Sequence, residues 1–238
     1  MKIAVLGAGG FVGGACVDVL KSRSEHEVIS VYRATPMDSI KDGIDLVIHA
    51  ANPAKRFLAN QHPDDDLHST VDRTKFFLQN FVGSRFLLIS SISCRTQSVT
   101  PYGKHRRDCE DLVLWNGGGV VRLGPLFGGN REHDTLHDIV NGRDIYYSAE
   151  TEYAYCELDW AAKYIVDKLL PFEGLIEIGA RNTVTLQSIA TLVSSRSRFT
   201  GPVDHQFPQG FDSGPDASEV FKYALGLRGG KQGFGFGI

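Results

Sequence analysis

The chain has 238 residues, of which 42% are hydrophobic and 22% charged. This composition is ordinary for a soluble α/β protein. The net charge of −3 at pH 7 gives no support for binding to nucleic acid or to an anionic membrane. The four cysteines contain no C-x-x-C pair, which argues against a disulfide or zinc scaffold, and the sequence contains no recognisable membrane span or signal peptide. We therefore expect a cytoplasmic protein without disulfides or a bound metal.

The first predicted element is a strand that runs directly into a glycine turn. The apolar run Ile3–Leu6 predicts a buried strand, and the amphipathic segment after it predicts a helix. Glycines permit a tight turn and a close approach to a pyrophosphate, whose charge is favoured at a helix N-terminus. We therefore predict that the turn binds a dinucleotide through Gly7, Gly9, Gly10, Phe11, Val12 and Gly13. The alternative interpretation is a glycine-rich turn after an edge strand.

Further strands and helices alternate along the next hundred residues. Strands are predicted at His26–Tyr32, Asp45–Ala50, Arg85–Ser90 and Val120–Leu123, and helices at 68–82 and Tyr102–Leu114. Strands that alternate with helices predict a parallel sheet.

The second half of the chain is more mixed. We predict a helix from Asp159 to Leu170, a strand at Leu175–Ile178, a helix from Thr185 to about Ser195, and one from Asp216 that ends at Gly226. The predicted organisation is a dinucleotide-binding domain at 1–125, completed by parts of 155–180, followed by a largely substrate-binding portion at 126–225. Residues 226–238 contain six glycines and are predicted to be a flexible tail.

Three features follow predicted strands in a fixed order: Ala50-Ala51, Ser90-Ser91, and Pro101-Tyr102-Gly103-Lys104. Ligands of open parallel sheets bind at the carboxyl ends of the strands, where Ala50 and Ala51 are expected to face the cofactor. With the glycine turn, this ordered set resembles the extended short-chain dehydrogenase/reductase superfamily of NAD(P)-dependent nucleotide-sugar epimerases, dehydratases and reductases. The resemblance covers about residues 2–195 and implies a Rossmann-type, doubly wound α/β fold with a small C-terminal substrate-binding portion.

The resemblance also implies roles for individual residues. Tyr102 would be the general acid/base, and Ser91 would hold the substrate against it. A phenol ordinarily keeps its proton until about pH 10, so this role requires a nearby positive charge. The family has a lysine four residues after the tyrosine, and this position is Arg106 here. Arg106 shares a helix face with Tyr102. Lys104 is only two residues after Tyr102 and therefore points away from it. The alternatives are an ordinary helix-start aromatic for Tyr102, a common strand-end serine for Ser91, and a solvated charge for Arg106.

The end of the second strand carries Tyr32 and Arg33 where NAD-specific members of the family have an acid. An arginine suits the 2′-phosphate of NADP, which is therefore favoured, with NAD possible. A plain loop charge is the alternative for Arg33. The link from Arg33 to Asp45 is short, which indicates a reduced adenine-binding region.

The family's next strand and turn resemble residues 121–128, so that Pro125 is expected near the cofactor. Arg131 and His133 are candidates to face a sugar diphosphate, with exposed loop charges as the alternative. His133 and His137 have the i, i+4 spacing of metal ligands but no accompanying third ligand. We therefore predict no metal site.

The predicted function is hydride transfer on a nucleotide-sugar-like substrate. Dehydratases of the family have acidic residues after the serine, whereas Ile92 and Ser93 follow Ser91 here, which favours a reductase or epimerase. The alternative, suggested by Arg106, is a non-catalytic NAD(P)-binding sensor or partner-binding protein. The resemblance further implies a homodimer, to which Phe76, Phe77, Leu112 and Val113 are candidate contributors unless they belong to the core.

Overall fold

The computed structural model describes residues 1–40 and 42–232, which form two compact units. The first unit comprises residues 1–123 and 159–177, and the second comprises residues 124–158 and 178 onward. Over the part of the chain that is described, no helix is both long and apolar enough to cross a membrane.

The first unit is built on a six-stranded sheet in the order β2-β1-β3-β4-β5-β9. Its strands are β1 (Lys2–Leu6), β2 (Glu27–Val31), β3 (Leu46–His49), β4 (Arg85–Ser91), β5 (Gly119–Leu123) and β9 (Gly174–Ile178). The pairs β1–β2, β1–β3, β3–β4 and β4–β5 are all parallel. Every residue of β3 is buried, which explains why this strand is a near-continuous apolar run in the sequence, with His49 at its end. The α/β class predicted from the sequence is confirmed.

Helices follow most of these strands. They are α1 (Phe11–Arg23), α2 (Arg56–Gln61), α3 (Pro63–Leu67), α4 (Arg73–Asn80), α5 (Ser93–Thr96), α6 (Pro101–Trp115) and α8 (Leu158–Lys168). A π-helical segment, His68–Asp72, joins α3 to α4. The start of α6 is well specified, because Pro101 occupies its first turn and the Thr100 hydroxyl accepts a hydrogen bond from the Gly103 N–H at 3.1 Å.

The sequence prediction missed the helical character of residues 56–67. The aspartates at 64–66 lie in the first turn of α3, after Pro63 at its start, which suits the positive end of a helix. Asp66 itself is buried, and its Oδ2 lies 2.8 Å from Nδ1 of His105 in α6. This pair links α3 to the helix that carries Tyr102.

The second unit has its own apolar core. Its elements are β6 (Leu126–Phe127), α7 (Thr135–Val140), β7 (Glu152–Tyr153), β8 (Cys156–Glu157), β10 (Val184–Thr185), α9 (Leu186–Leu192) and α10 (Glu219–Gln232). Strand β6 pairs with β8 and β7 pairs with β10. Leu136, Ile139 and Ile189 are almost completely buried between these elements.

Two predicted helix ends are corrected. Helix α8 ends at Lys168, two residues before the predicted end, and α10 continues past Gly226 to Gln232. A Cβ on Gly226 would meet nothing within 4 Å, so this glycine is no forced stop. The remainder of the predicted flexible tail, residues 233–238, lies outside the described residues.

Candidate active site

The turn after β1 requires glycine at two positions. Gly7 has a φ of +81°, and a Cβ there would lie 2.7 Å from the Ala50 carbonyl oxygen. A Cβ on Gly13 would lie 2.2 Å from the Gly7 carbonyl oxygen. Both obstacles are backbone atoms, which cannot swing aside as a side chain can. The two glycines therefore let the start of α1 and the end of β3 approach each other closely.

The outer side of the same turn is accessible. Gly9 and Gly10 are exposed, Phe11 and Val12 are half-buried, and Gly10 is the N-cap of α1. The first turn of α1 contains no acidic residue. Because a helix N-terminus combines unpaired N–H groups with a partial positive charge, an anionic group is favoured at this position. The geometry fits the pyrophosphate of a dinucleotide.

The end of β2 has an unusual form. In the doubly wound order that binds dinucleotides, a further strand lies outside the second one, but here β2 is itself the sheet edge. Within residues 32–40 and 42–45, the structure describes one 3₁₀ turn, Met37–Ser39, as the only regular element. Arg33 is exposed. Tyr32 is 54% exposed, and its ring carbon Cδ1 lies 3.4 Å from where a Gly9 Cβ would be.

Ser91 and Tyr102 lie on two elements that pack together. Ser91 is the last residue of β4, and its hydroxyl accepts a hydrogen bond from the Ser93 N–H at 3.2 Å. Tyr102 lies in the first turn of α6, which packs against β4, and is 5% exposed. A hydroxyl and a phenol are groups that can hold and transfer a proton at an alcohol or a carbonyl.

Arg106 is fixed against Tyr102. Its guanidinium carbon lies 4.5 Å from the centroid of the Tyr102 ring, and its side chain is almost completely buried. Its Nη2 donates a hydrogen bond to the Pro53 carbonyl oxygen. The interpretation of Arg106 as a solvated charge is therefore wrong, whereas Lys104 is exposed, as its spacing predicts.

His49 fixes the segment that follows β3. The ring is fully buried, its Nε2 lies 3.0 Å from Thr74 Oγ1, and its Nδ1 accepts a hydrogen bond from the Ala51 N–H at 3.3 Å. Burial, together with the smaller effect of the charges of Arg106 and Arg73, lowers the pKa of His49 to about 3. With Nδ1 as an acceptor, the neutral ring carries its proton on Nε2 and donates to Thr74. Ala50 and Ala51 are half-buried beside it.

A buried ionic network lies next to Ser91. The Ser90 hydroxyl donates to Glu110 Oε1 at 2.6 Å, and Arg122 donates to both oxygens of Glu110 at 2.9 and 2.6 Å. Arg122 also reaches Glu177 at 3.1 Å, which in turn receives two hydrogen bonds from Arg95. The Glu110 carboxylate raises the pKa of Arg122. The network joins the end of β4 to α6 and β5.

Pro125, Arg131 and His133 belong to the second unit. The Pro125 carbonyl oxygen accepts a hydrogen bond from the Cys156 N–H at 3.1 Å, Arg131 is half-buried and His133 is exposed. His137 Nδ1 lies 2.9 Å from Asp134 Oδ1. Among residues 1–40 and 42–232, no group of three or more histidines, cysteines or acidic residues is arranged to hold a metal ion.

Sequence reasoning missed Asn52 and the structural part played by His49. Asn52 directly follows Ala51, and its amide nitrogen and oxygen are both buried without a hydrogen-bond partner among the described residues. The signal available in the sequence was a polar residue immediately after a buried strand that ends in two alanines.

Phe77 and Val113, considered for a dimer interface, are 2% and 0% exposed and belong to the core.

Comparisons with known proteins give similarity in structure only. No protein-family model matches the chain, and no curated protein matches it. Solved structures similar over nearly the whole length include MoeE5 in complex with UDP-glucose and NAD (TM-score 0.76, 14% identity, 95% of this chain and 96% of that chain). Another is TunA, an NAD-dependent NDP-hexosamine 5,6-dehydratase (TM-score 0.78, 13% identity, 96% and 98%). A third is a dTDP-4-dehydrorhamnose reductase from Yersinia enterocolitica (TM-score 0.73, 17% identity, 95% and 99%). At these identities the likeness establishes the fold.

Proposed function

We propose that this protein is an NAD(P)-dependent oxidoreductase that acts on a nucleotide sugar. The observation that carries the proposal is the combination, in one unit, of an open glycine turn at the start of α1 and the Ser91, Tyr102 and Arg106 group on β4 and α6. The proteins of similar fold, several bound to NAD or to UDP-sugars, support the same activity and substrate class.

The residues of the first unit fit a dinucleotide. The exposed edge of the glycine turn at Gly9 and Gly10 would receive the pyrophosphate, and Ala50 and Ala51 would border the cofactor where β3 ends. A nicotinamide cofactor held there would supply hydride transfer to or from a carbon of the sugar.

The chain's own residues hold and move the proton. Tyr102 would exchange its phenolic proton with the substrate oxygen, while the Ser91 hydroxyl orients that oxygen by a hydrogen bond. The guanidinium of Arg106 over the Tyr102 ring places a permanent positive charge beside the phenol. Because no acidic residue follows Ser91 directly, we favour reduction or epimerisation over dehydration.

Further assignments belong to the same proposal. The exposed Arg33 would contact the 2′-phosphate of NADP, and Pro125 would contribute to cofactor binding. Arg131 and His133 would contribute to substrate binding. We also propose a cytoplasmic homodimer. Phe76 and Trp115, which are 42% and 91% exposed on α4 and α6, are candidates for its interface.

The experiment combines binding with turnover. Calorimetry with NADH and NADPH measures cofactor affinity. A panel of nucleotide sugars is then assayed with wild type and Tyr102→Phe, by absorbance at 340 nm for reduction and by chromatography of the sugar products for epimerisation. We expect micromolar binding, tighter for NADPH, and turnover that falls by about 100-fold or more in the variant. Full activity of Tyr102→Phe would remove Tyr102 as the acid/base. Binding without turnover of any sugar would favour the non-catalytic alternative.

A further inference from the structure

Ser91 lies between two anchored points of the chain. Before it, the Ser90 hydroxyl donates a hydrogen bond to Glu110 Oε1 at 2.6 Å. After it, the N–H of Ser93, the first residue of α5, donates to the Ser91 hydroxyl oxygen at 3.2 Å. A hydroxyl that accepts such a bond keeps its own proton for another partner. The position of α5 therefore sets the orientation of the Ser91 hydroxyl.

Helix α5 is held in place by neighbouring elements. It has only four residues, and a helix this short is not stable on its own. Arg107 of α6 donates a hydrogen bond to the Cys94 carbonyl oxygen at 2.8 Å. Arg95 of α5 donates to both carboxylate oxygens of Glu177 in β9, at 3.1 and 2.9 Å. These two arginines tie α5 to α6 and to an edge strand of the sheet.

The Arg95–Glu177 pair has the features of a rigid contact. Its two parallel hydrogen bonds fix the guanidinium and the carboxylate in one plane, which a single bond does not. The Glu177 side chain is buried and that of Arg95 is 26% exposed, so salt screens the pair only in part. Glu177 is also held by Arg122, whose Nη1 donates to Oε1 at 3.1 Å. The carboxylate that receives Arg95 is therefore itself fixed.

Four charged side chains form one continuous chain around Ser91. They alternate in sign in the order Arg95, Glu177, Arg122 and Glu110, so the two positive and two negative charges balance. Glu110, at one end, bonds the residue before Ser91. Arg95, at the other end, belongs to the helix that follows Ser91. The ionic chain thus holds the backbone on both sides of this serine.

We propose that Arg95 and Glu177 are positioning residues that orient the Ser91 hydroxyl toward the substrate oxygen. The inference rests on the proposed function, in which Ser91 holds that oxygen for proton exchange with Tyr102. Without the pair, α5 would no longer keep the Ser93 N–H on Ser91, and the hydroxyl would be free to turn among its staggered positions. The reaction of the bound substrate would slow, whereas cofactor affinity, which depends on the glycine turn, would stay the same.

The test uses the full chain with Arg95→Ala, which removes the pair but leaves Glu177 bonded to Arg122. Arg95→Lys is the conservative variant, because it keeps the positive charge but offers a point charge in place of the planar fork. Arg23→Ala is the matched control, since it breaks another bidentate pair of the first unit, between Arg23 in α1 and Asp167 in α8.

Three properties are measured for each variant: kcat and KM with a nucleotide sugar that wild type converts, NADH affinity by calorimetry, and amide hydrogen exchange in segment 91–97. We expect Arg95→Ala to lower kcat about tenfold, with little change in KM or in NADH affinity. Exchange in segment 91–97 should be faster, because α5 opens more often. Arg95→Lys should recover kcat to within about threefold of wild type. Arg23→Ala should change none of the three.

Two results would overturn the inference while leaving the proposed function standing. The first is an unchanged kcat for Arg95→Ala. The second is a loss of kcat that Arg95→Lys does not recover and that comes with an equal loss of NADH affinity, as a general loosening of the fold would give. Absence of turnover by wild type would refute the proposed function instead. The exchange measurement would then still decide whether the Arg95–Glu177 pair holds α5, and unchanged exchange in Arg95→Ala would overturn this inference as well.

Discussion

The stability of the folded protein is expected to fall at acid pH because His49 is buried in its neutral form. The pKa of this ring is lowered from 6.5 to about 3 by burial and by the charges of Arg106 and Arg73. The unfolded chain therefore binds a proton at this site near pH 6.5, whereas the folded protein binds it only near pH 3. The stabilisation is complete above pH 6.5 and is lost as the pH falls toward 3.

The size of this effect follows from the two pKa values. Between pH 7 and pH 5 the unfolded state gains most of a proton at this site, which costs the folded state about 2 kcal/mol. His49→Gln removes the titration but keeps a group able to hydrogen-bond. We expect the free energy of unfolding to fall by about 2 kcal/mol less in the variant than in wild type over this pH range.

Urea unfolding at pH 7 and pH 5, followed by circular dichroism, measures the change in the free energy of unfolding between the two pH values for wild type and for His49→Gln. Histidines elsewhere titrate in both proteins and largely cancel. In wild type, the ring signals of His49 in an NMR titration should stay at their neutral position down to pH 4, which tests the idea even if the variant folds poorly. Equal pH dependence of the two proteins, or a His49 signal that titrates near pH 6, would refute the reasoning.

Two further predictions concern the frame of the site. Gly13→Ala should lower the stability of the protein and weaken NADH binding, because the new Cβ would lie 2.2 Å from the Gly7 carbonyl oxygen. Gly14→Ala should cost much less, because its Cβ would lie 3.3 Å from the Ala8 carbonyl oxygen. Chemical denaturation measures the stability of each variant and calorimetry its affinity for NADH, and equal losses in the two variants would contradict the close-approach argument. Glu110→Gln should lower the free energy of unfolding by about 3 kcal/mol, because it removes the buried carboxylate that pairs through both oxygens with Arg122, whose side chain is only 11% exposed. Asp144→Asn breaks an exposed pair with Arg198 and should leave the urea midpoint unchanged; a comparable loss in both variants would argue against the importance of burial.

The sequence by itself predicted the α/β class, the strands from β1 to β5 and the two long helices α1 and α6. These elements could be predicted because their signals are local: uninterrupted apolar runs for buried parallel strands, and glycine or proline at their boundaries. It also predicted that Arg106 shares a helix face with Tyr102, since that depends only on helical periodicity.

The burial and the contacts of side chains whose partners are distant in the chain could be seen only in the tertiary structure. Nothing near Asp66 in the sequence indicates that it is buried against His105, 39 residues away. Likewise, the exposure of Phe76 and the burial of Phe77 depend on which face of α4 meets the sheet, and the short sequence of that helix does not settle it.

The same distinction separates the two halves of the candidate site. Gly7 and Gly13 are recognisable in the sequence because a positive φ or a close backbone approach demands glycine whatever surrounds it. The orphaned amide of Asn52, the neutral state of His49 and the fixed position of Arg106 arise only when β3, α4 and α6 are packed together, because desolvation and hydrogen-bond pairing are properties of the assembled neighbourhood.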